Sequence, residues 1–192
     1  MRKSLVALST AALLALTGCA STSTPSAEAP ARGTAVVQQL GFEGKTAQQI
    51  VDTIDSSPKA RPLNFGASVR DTELVLTKDG AETSLPLPAD VFYLSIAPYQ
   101  SQTHECFFHS LATCQGELAN EDVTVTIVDE AGKVLVDETT KTYANGFTGF
   151  WLPRDTKGTV TVTHAGRKGS APFATTAGSP TCMTTLRLTD NV

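Results

Sequence analysis

The sequence predicts a mainly β protein of the α+β class, with a short N-terminal helical segment followed by antiparallel strands in an Ig-like sandwich or barrel. Three observations carry that expectation. Apolar and polar residues alternate in short runs between Glu73 and Leu188, the period of a half-buried strand. Turn residues such as Lys78-Asp79-Gly80 and Glu130-Ala131-Gly132 separate the runs at short intervals. Helical periodicity is confined to one stretch near Ala47, so the strand–helix alternation that builds a parallel sheet is missing.

The chain begins with Arg2 and Lys3, then an apolar run from Leu5 to Leu16 and the tetrapeptide Leu16-Thr17-Gly18-Cys19. A charged start, a short apolar core and small residues at the cut are the three parts of an export signal. The run is too short to span a bilayer stably, which takes roughly 20 residues. LTGC resembles a lipobox, so residues 1–18 are expected to be removed and Cys19 to carry the lipid. Residues 19–36, rich in Ser, Thr, Ala and Pro, read as a flexible tether. Two zones follow, an N-terminal α+β subdomain at 37–100 and a β-rich C-terminal domain at 101–192.

In the first zone, Ala47, Ile50, Val51 and Ile54 fall at i, i+3, i+4 and i+7, one face of a helix, with Thr46 placed to cap it. Glu73 to Leu87 alternates on both sides of Asp79-Gly80, a hairpin signal. Asp90 to Tyr99 is nearly continuously apolar and predicts a strand buried on both faces. Asp122 to Tyr143 predicts two strands about the turn at Glu130-Ala131-Gly132. Gly158–Gly166, Ala171–Thr176 and Cys182–Leu188 continue the pattern, and Gly146–Arg154 reads as a core corner with a tight backbone. Thr103 to Leu118 lacks Gly and Pro until Gly116 and predicts an ordered turn or short helix.

The formal net charge is −4, and loss of residues 1–18 takes Arg2 and Lys3 with it, leaving −6. An acidic chain without basic clusters excludes nucleic acid as a partner, because phosphate contacts need Lys and Arg. A lipid at Cys19, not a charged patch, would hold the protein at the cell membrane, facing the periplasm or the exterior.

The chemistry concentrates in THECFFHSLATCQGEL, Thr103 to Leu118. His104 and His109 are five apart, which rotates them about 140° around a helix, so they do not form the two-histidine zinc-protease site that His104-Glu105 suggests. With Cys19 given to lipid, Cys106, Cys114 and Cys182 remain, an odd number for an oxidising compartment. A Cys106–Cys114 disulfide with Cys182 buried, a redox pair, and a metal site using all three thiols stand as alternatives. Three thiolates suit Cu(I); with His104 or His109 added they make the Cys₃His set of structural zinc. Met183 points away from Cys182 in a strand and is a poor ligand, and His164 reads as a surface residue.

Four blocks, VFYLSIAPY, HECFFHSLATCQGEL, GFTGFWLPR and SPTCMTTLRL, together resemble the CueP family of bacterial periplasmic copper-binding proteins over about residues 38–190. The resemblance implies a non-enzymatic copper protein with a three-cysteine site at Cys106, Cys114 and Cys182. It gives His104 and His109 an access or auxiliary role, and delivery to a secreted copper-zinc superoxide dismutase as the purpose. It also implies a tendency to form homodimers. A lipobox departs from the soluble members and would tether the site. A sharper expectation is that the histidines capture Cu(II) and two thiols supply the electrons to reduce it, leaving a disulfide. A disulfide-stapled surface interaction module and a zinc-stabilised domain are the competing functions.

Overall fold

In the computed structural model, which describes residues 28–190, the chain opens with helix α1 (Glu28–Gln39). Much of α1 lies in the stretch that composition assigned to the tether. Ala and Glu favour helix in the absence of periodicity, and buried Val36, with Val37 and Leu40 beside it, packs the C-terminal end onto the first core. The signal segment and Cys19 lie outside the described residues. No described helix is long and apolar enough to cross a membrane.

Helix α2 (Ala47–Asp55) forms where the periodicity places it. Its first turn is closed by a capping box: Thr46 Oγ1 accepts from the Gln49 amide at 3.2 Å, and Gln49 Oε1 accepts from the Thr46 amide at 2.9 Å. The helix buries Ala47, Ile50, Val51, Ile54 and also Asp55. Strands β1 (Gly66–Val69), β2 (Glu73–Lys78) and β3 (Ala81–Pro86) follow as an antiparallel meander. Asp79 and Gly80 both hold positive φ, 49° and 80°, as a two-residue hairpin turn requires.

Strand β4 (Val91–Ile96) is buried along nearly its whole length, as its apolar run predicts. Successive side chains point to opposite faces, and here each face meets a different core. Phe92, Leu94 and Ile96 enter the C-terminal core, whereas Tyr93 joins α2 and the meander. Each fully buried apolar side chain of this kind contributes roughly 1.5–3 kcal/mol relative to exposure. Residues 103–118 form no helix; they are extended and turned, with a two-residue strand β5 (His109–Ser110) that adds to the edge of β1. The first sheet therefore runs β3-β2-β1-β5.

The remaining strands are β6 (Asp122–Asp129), β7 (Val134–Lys141), β8 (Thr148–Pro153), β9 (Lys157–His164), β10 (Arg167–Ala174), β11 (Cys182–Met183) and β12 (Thr189–Asp190). They complete a five-stranded sheet, β12-β10-β9-β6-β7, and a three-stranded sheet, β11-β4-β8. The two share one core, with Val125, Ile127, Val160 and Val162 from the first meeting Phe92, Leu94 and Leu152 from the second. The sheets stay open and close no barrel. Two local features differ from expectation. The GFTGFWLPR corner contains a regular strand, β8, antiparallel to β4. The expected strand at Cys182–Leu188 is only two residues long at β11 and runs parallel to β4, a short exception in otherwise antiparallel sheets.

Two contacts shape the 97–118 region. Gly116 and Gly146 pass backbone to backbone: a Cβ on Gly116 would sit 2.5 Å from the Gly146 carbonyl oxygen, and Gly146 holds φ +79°. Glu117 reaches back to 100–102. Its carboxylate accepts from the Ser101 hydroxyl, and from the Gln100 and Ser101 amides at 2.7 and 3.0 Å. The Ser101 hydroxyl bond above all, with these amides, lowers the Glu117 pKa from 4.5 to about 2.

Replacing Gly146 by Ala should cost about 1–3 kcal/mol through backbone strain and overpacking, read as a lower denaturation midpoint. The Glu117 contribution is present above the usual pKa and lost as pH falls through the folded value. The melting-temperature gap between wild type and Glu117→Gln should accordingly be largest above about pH 4.5 and close towards about pH 2.

Candidate metal centre

The sulfurs meet because β11 docks against the 103–118 segment. Phe107 O accepts from the amides of Thr181 and Cys182 at 3.0 and 3.2 Å. Thr181 Oγ1 accepts from the His109 amide at 2.9 Å and donates to Val69 O at 2.6 Å. Together with the parallel pairing of Cys182 with Ser95, these bonds set Cys182 directly over Cys106 and His109. From the other side, Arg61 clamps the segment to α2, its guanidinium donating to Leu111 O and to Ile54 O at 2.8 Å each.

Cys106, His109, Cys114 and Cys182 form one cluster whose ligand atoms all lie within 4.8 Å of one another. Within it, Cys106 and Cys182 are joined as a disulfide, with Cα atoms 5.7 Å apart. The Cys106–Cys114 bridge suggested by spacing does not form. Cys114 keeps its thiol, with Sγ 3.6 Å from that of Cys106. The pairing goes to the distant partner because β11 delivers Cys182 to Cys106, a relation that spacing cannot show. His109 Nδ1 lies 3.8 Å from Cys182 Sγ. Ala97 and Phe147 are buried with Cys182 in a small apolar cluster against which Cys106 and Cys114 pack, and the Phe147 and His109 rings are 4.5 Å apart.

His104 is not brought into the cluster. It lies against Phe147 at 6.1 Å between ring centroids, with Nε2 shielded from water and without a hydrogen-bond partner. It lines a shallow cleft with Glu105, Thr113, Cys114 and Gln115. Met183 turns into the sandwich core, as strand alternation requires. His164 sits on the far sheet with Nδ1 2.9 Å from Asp122 O.

Behind His109 lies a residue that the sequence reading did not single out. Asp55, the last residue of α2, is fully buried. Its Oδ1 is 3.0 Å from His109 Nε2 and accepts from Asn145 Nδ2 at 2.7 Å, while Oδ2 accepts from the Tyr93 hydroxyl at 2.6 Å. Gly149 leaves the space that the Tyr93 ring occupies. Asp55 was legible as an acid on the apolar stripe, four residues after Val51, but periodicity treats such a residue as the edge of the stripe.

Burial works against charge at both His109 and Asp55, and their pairing outweighs it. His109 is pushed down by desolvation, then up by the Asp55 charge and hydrogen bond, to about 9. Asp55 is raised by burial but held below the usual carboxylate value by His109, Tyr93 and Asn145. Burial and the nearby Asp55 charge hold the Tyr93 hydroxyl well above its usual pKa. The result is a charged pair inside the protein, with the imidazole face towards the sulfurs and the carboxylate face towards α2.

Three soft sulfurs with one imidazole suit Cu(I) or Zn(II) and do not suit hard cations such as Mg(II) or Ca(II). No curated protein matches the chain. The family model for the periplasmic copper-binding protein CueP matches residues 49–187. A solved structure described as "Crystal Structure of S.CueP" is 46% identical, covers 86% of this chain and 99% of its own, and superposes with a TM-score of 0.79. The matched region takes in Asp55, β4, the His-Cys segment and β11, so the chain belongs to the CueP family of periplasmic copper-binding proteins.

Proposed function

We propose that the protein is an extracytoplasmic lipoprotein, anchored through Cys19, that sequesters Cu(I) on the thiolates of Cys106, Cys114 and Cys182 and hands it by ligand exchange to a secreted cuproenzyme such as copper-zinc superoxide dismutase. The convergence of the three sulfurs and His109 within 4.8 Å carries this reading. Thiolates bind Cu(I) in low coordination number, and a site of three sulfurs can lose one to a docking client without releasing the ion to water. His109 completes or flanks the set. His104, outside the cluster but on the cleft beside Cys114, serves as an access residue. The same Cys₃His donors fit zinc, and the family's copper chemistry favours copper.

The Cys106–Cys182 disulfide favours one further step. Two Cu(II) ions each take one electron from the two thiolates, giving two Cu(I) and one disulfide, with the thiol protons released to solvent. Cys114 is not consumed in that exchange. Copper loading then requires the disulfide to be reduced again, so the oxidation state of one bond gates the capacity of the site.

Anaerobic titration of the reduced chain with Cu(I) against a competing chelator should give one tightly bound ion, with Cys106→Ser, Cys114→Ser and Cys182→Ser each weakening it at least about tenfold, about 1.4 kcal/mol. Copper binding indifferent to all three substitutions, or zinc retained in its place, would sink the copper reading. Adding Cu(II) without oxygen should remove two thiols per chain, and peptide mapping should find Cys106 bonded to Cys182 with Cys114 still alkylatable. Full thiol retention under those conditions rules out the reducing step.

A further inference from the structure

We infer that Asp55 is a positioning residue for the copper site: its buried carboxylate holds the Nε2–H of His109 so that Nδ1 is the nitrogen offered to the metal. The inference rests on the copper reading above and extends it into a part of the chain remote from the cysteines. Its basis is geometric. Asp55 Oδ1 lies 3.0 Å from His109 Nε2, and the opposite ring nitrogen, Nδ1, lies 3.8 Å from Cys182 Sγ. Once a metal displaces the Nδ1 proton, an imidazole that still donates through Nε2 presents the Nδ1 lone pair, and metal-bound histidines usually donate their second N–H to a carboxylate in this way.

The carboxylate itself has little freedom. Tyr93 from β4 and Asn145 from the loop before β8 donate to it at 2.6 and 2.7 Å, and Ser95 Oγ stands 3.4 Å from Oδ2. Those partners come from two separate parts of the chain, β4 and the loop before β8. Asn145 O also accepts from the Gly116 amide at 2.7 Å, which ties the strap carrying Cys114 to the same anchor. The His109 ring is further pinned by Phe147 at 4.5 Å, and its backbone by Thr181 and Val69. A ring flip would turn Nε2 towards the sulfurs and leave the Asp55 charge buried without its histidine donor. Such an orphaned charge is costly, so Asp55 excludes the flipped site.

The network also separates positioning from mere packing. Tyr93 shares the carboxylate but does not touch His109 through it, so Tyr93→Phe perturbs the buried network while leaving the Asp55–His109 contact in place. Asp55→Ala removes the contact, and Asp55→Asn keeps a neutral acceptor of the same shape.

The test is ¹⁵N NMR of the histidine side chains in the reduced full chain, before and after one equivalent of Cu(I), for wild type, Asp55→Ala, Asp55→Asn and Tyr93→Phe, with Cu(I) affinity measured on each. In wild type, Nδ1 of His109 should shift on loading while Nε2 keeps its proton. Asp55→Ala should lose or split that signature and bind copper about 10–100-fold more weakly. Asp55→Asn should recover part of both, and Tyr93→Phe should melt earlier yet keep the wild-type signature and affinity within about twofold. Copper on Nε2 in wild type overturns the inference without any variant, even if Asp55→Ala fails to fold. So does an Asp55→Asn or Asp55→Ala protein with wild-type signature and affinity, or a Tyr93→Phe protein as impaired as Asp55→Ala. Copper held by the thiolates with His109 unshifted overturns this inference and leaves the three-cysteine reading standing. Absence of tight copper binding overturns both.

Discussion

Strand β4 has no solvent face, and the architecture around the site follows from that constraint. A strand flanked by β8 and β11 and covered above and below must satisfy two cores with alternate residues. Phe92, Leu94 and Ile96 do so by hydrophobic burial. On the other face Tyr93 brings a hydroxyl into a dry region, where an unpaired polar group costs about 1–3 kcal/mol. Asp55 supplies its partner, and a buried carboxylate in turn needs a cation. His109 meets that need. The electrostatics of the metal centre therefore begin with a packing problem one layer away from any sulfur.

The two cores are correspondingly interleaved. β4 contributes to both, and β5, from residues 109–110, completes the N-terminal sheet. Neither core is built from one side of residue 100 alone. The 103–118 loop is thus held between packed elements, with Arg61 and α2 on one flank and β11 on the other, and side chains supported in this way are pre-organised.

How much of this could be read from the chain depended on the range of the interaction. Thr46 with Gln49, the Ala47–Ile54 stripe and the Asp79-Gly80 turn are contacts within a few residues, and they were legible. The double burial of β4 was legible too, because a continuous apolar run leaves no polar face to expose. The Cys106–Cys182 bond was not, because it depends on a two-residue parallel pairing with β4 that has no local signature. The same holds for Asp55, whose three buried partners lie 38, 54 and 90 residues away. Helix α1 was hidden for a different reason: its anchor is a few apolar residues at one end, within a composition that otherwise resembles a linker.

The wide spacing of the sulfurs gives the site a history during folding. Cys106 and Cys114 are near neighbours, and closing a loop that short costs little entropy, whereas Cys182 joins them across 76 residues. A folding chain whose β11 has not docked therefore offers two thiols at the cluster and no third. The complete Cys106–His109–Cys114–Cys182 cluster arrives only with β11. A site built on all three thiols would thus exist only in molecules that have finished folding.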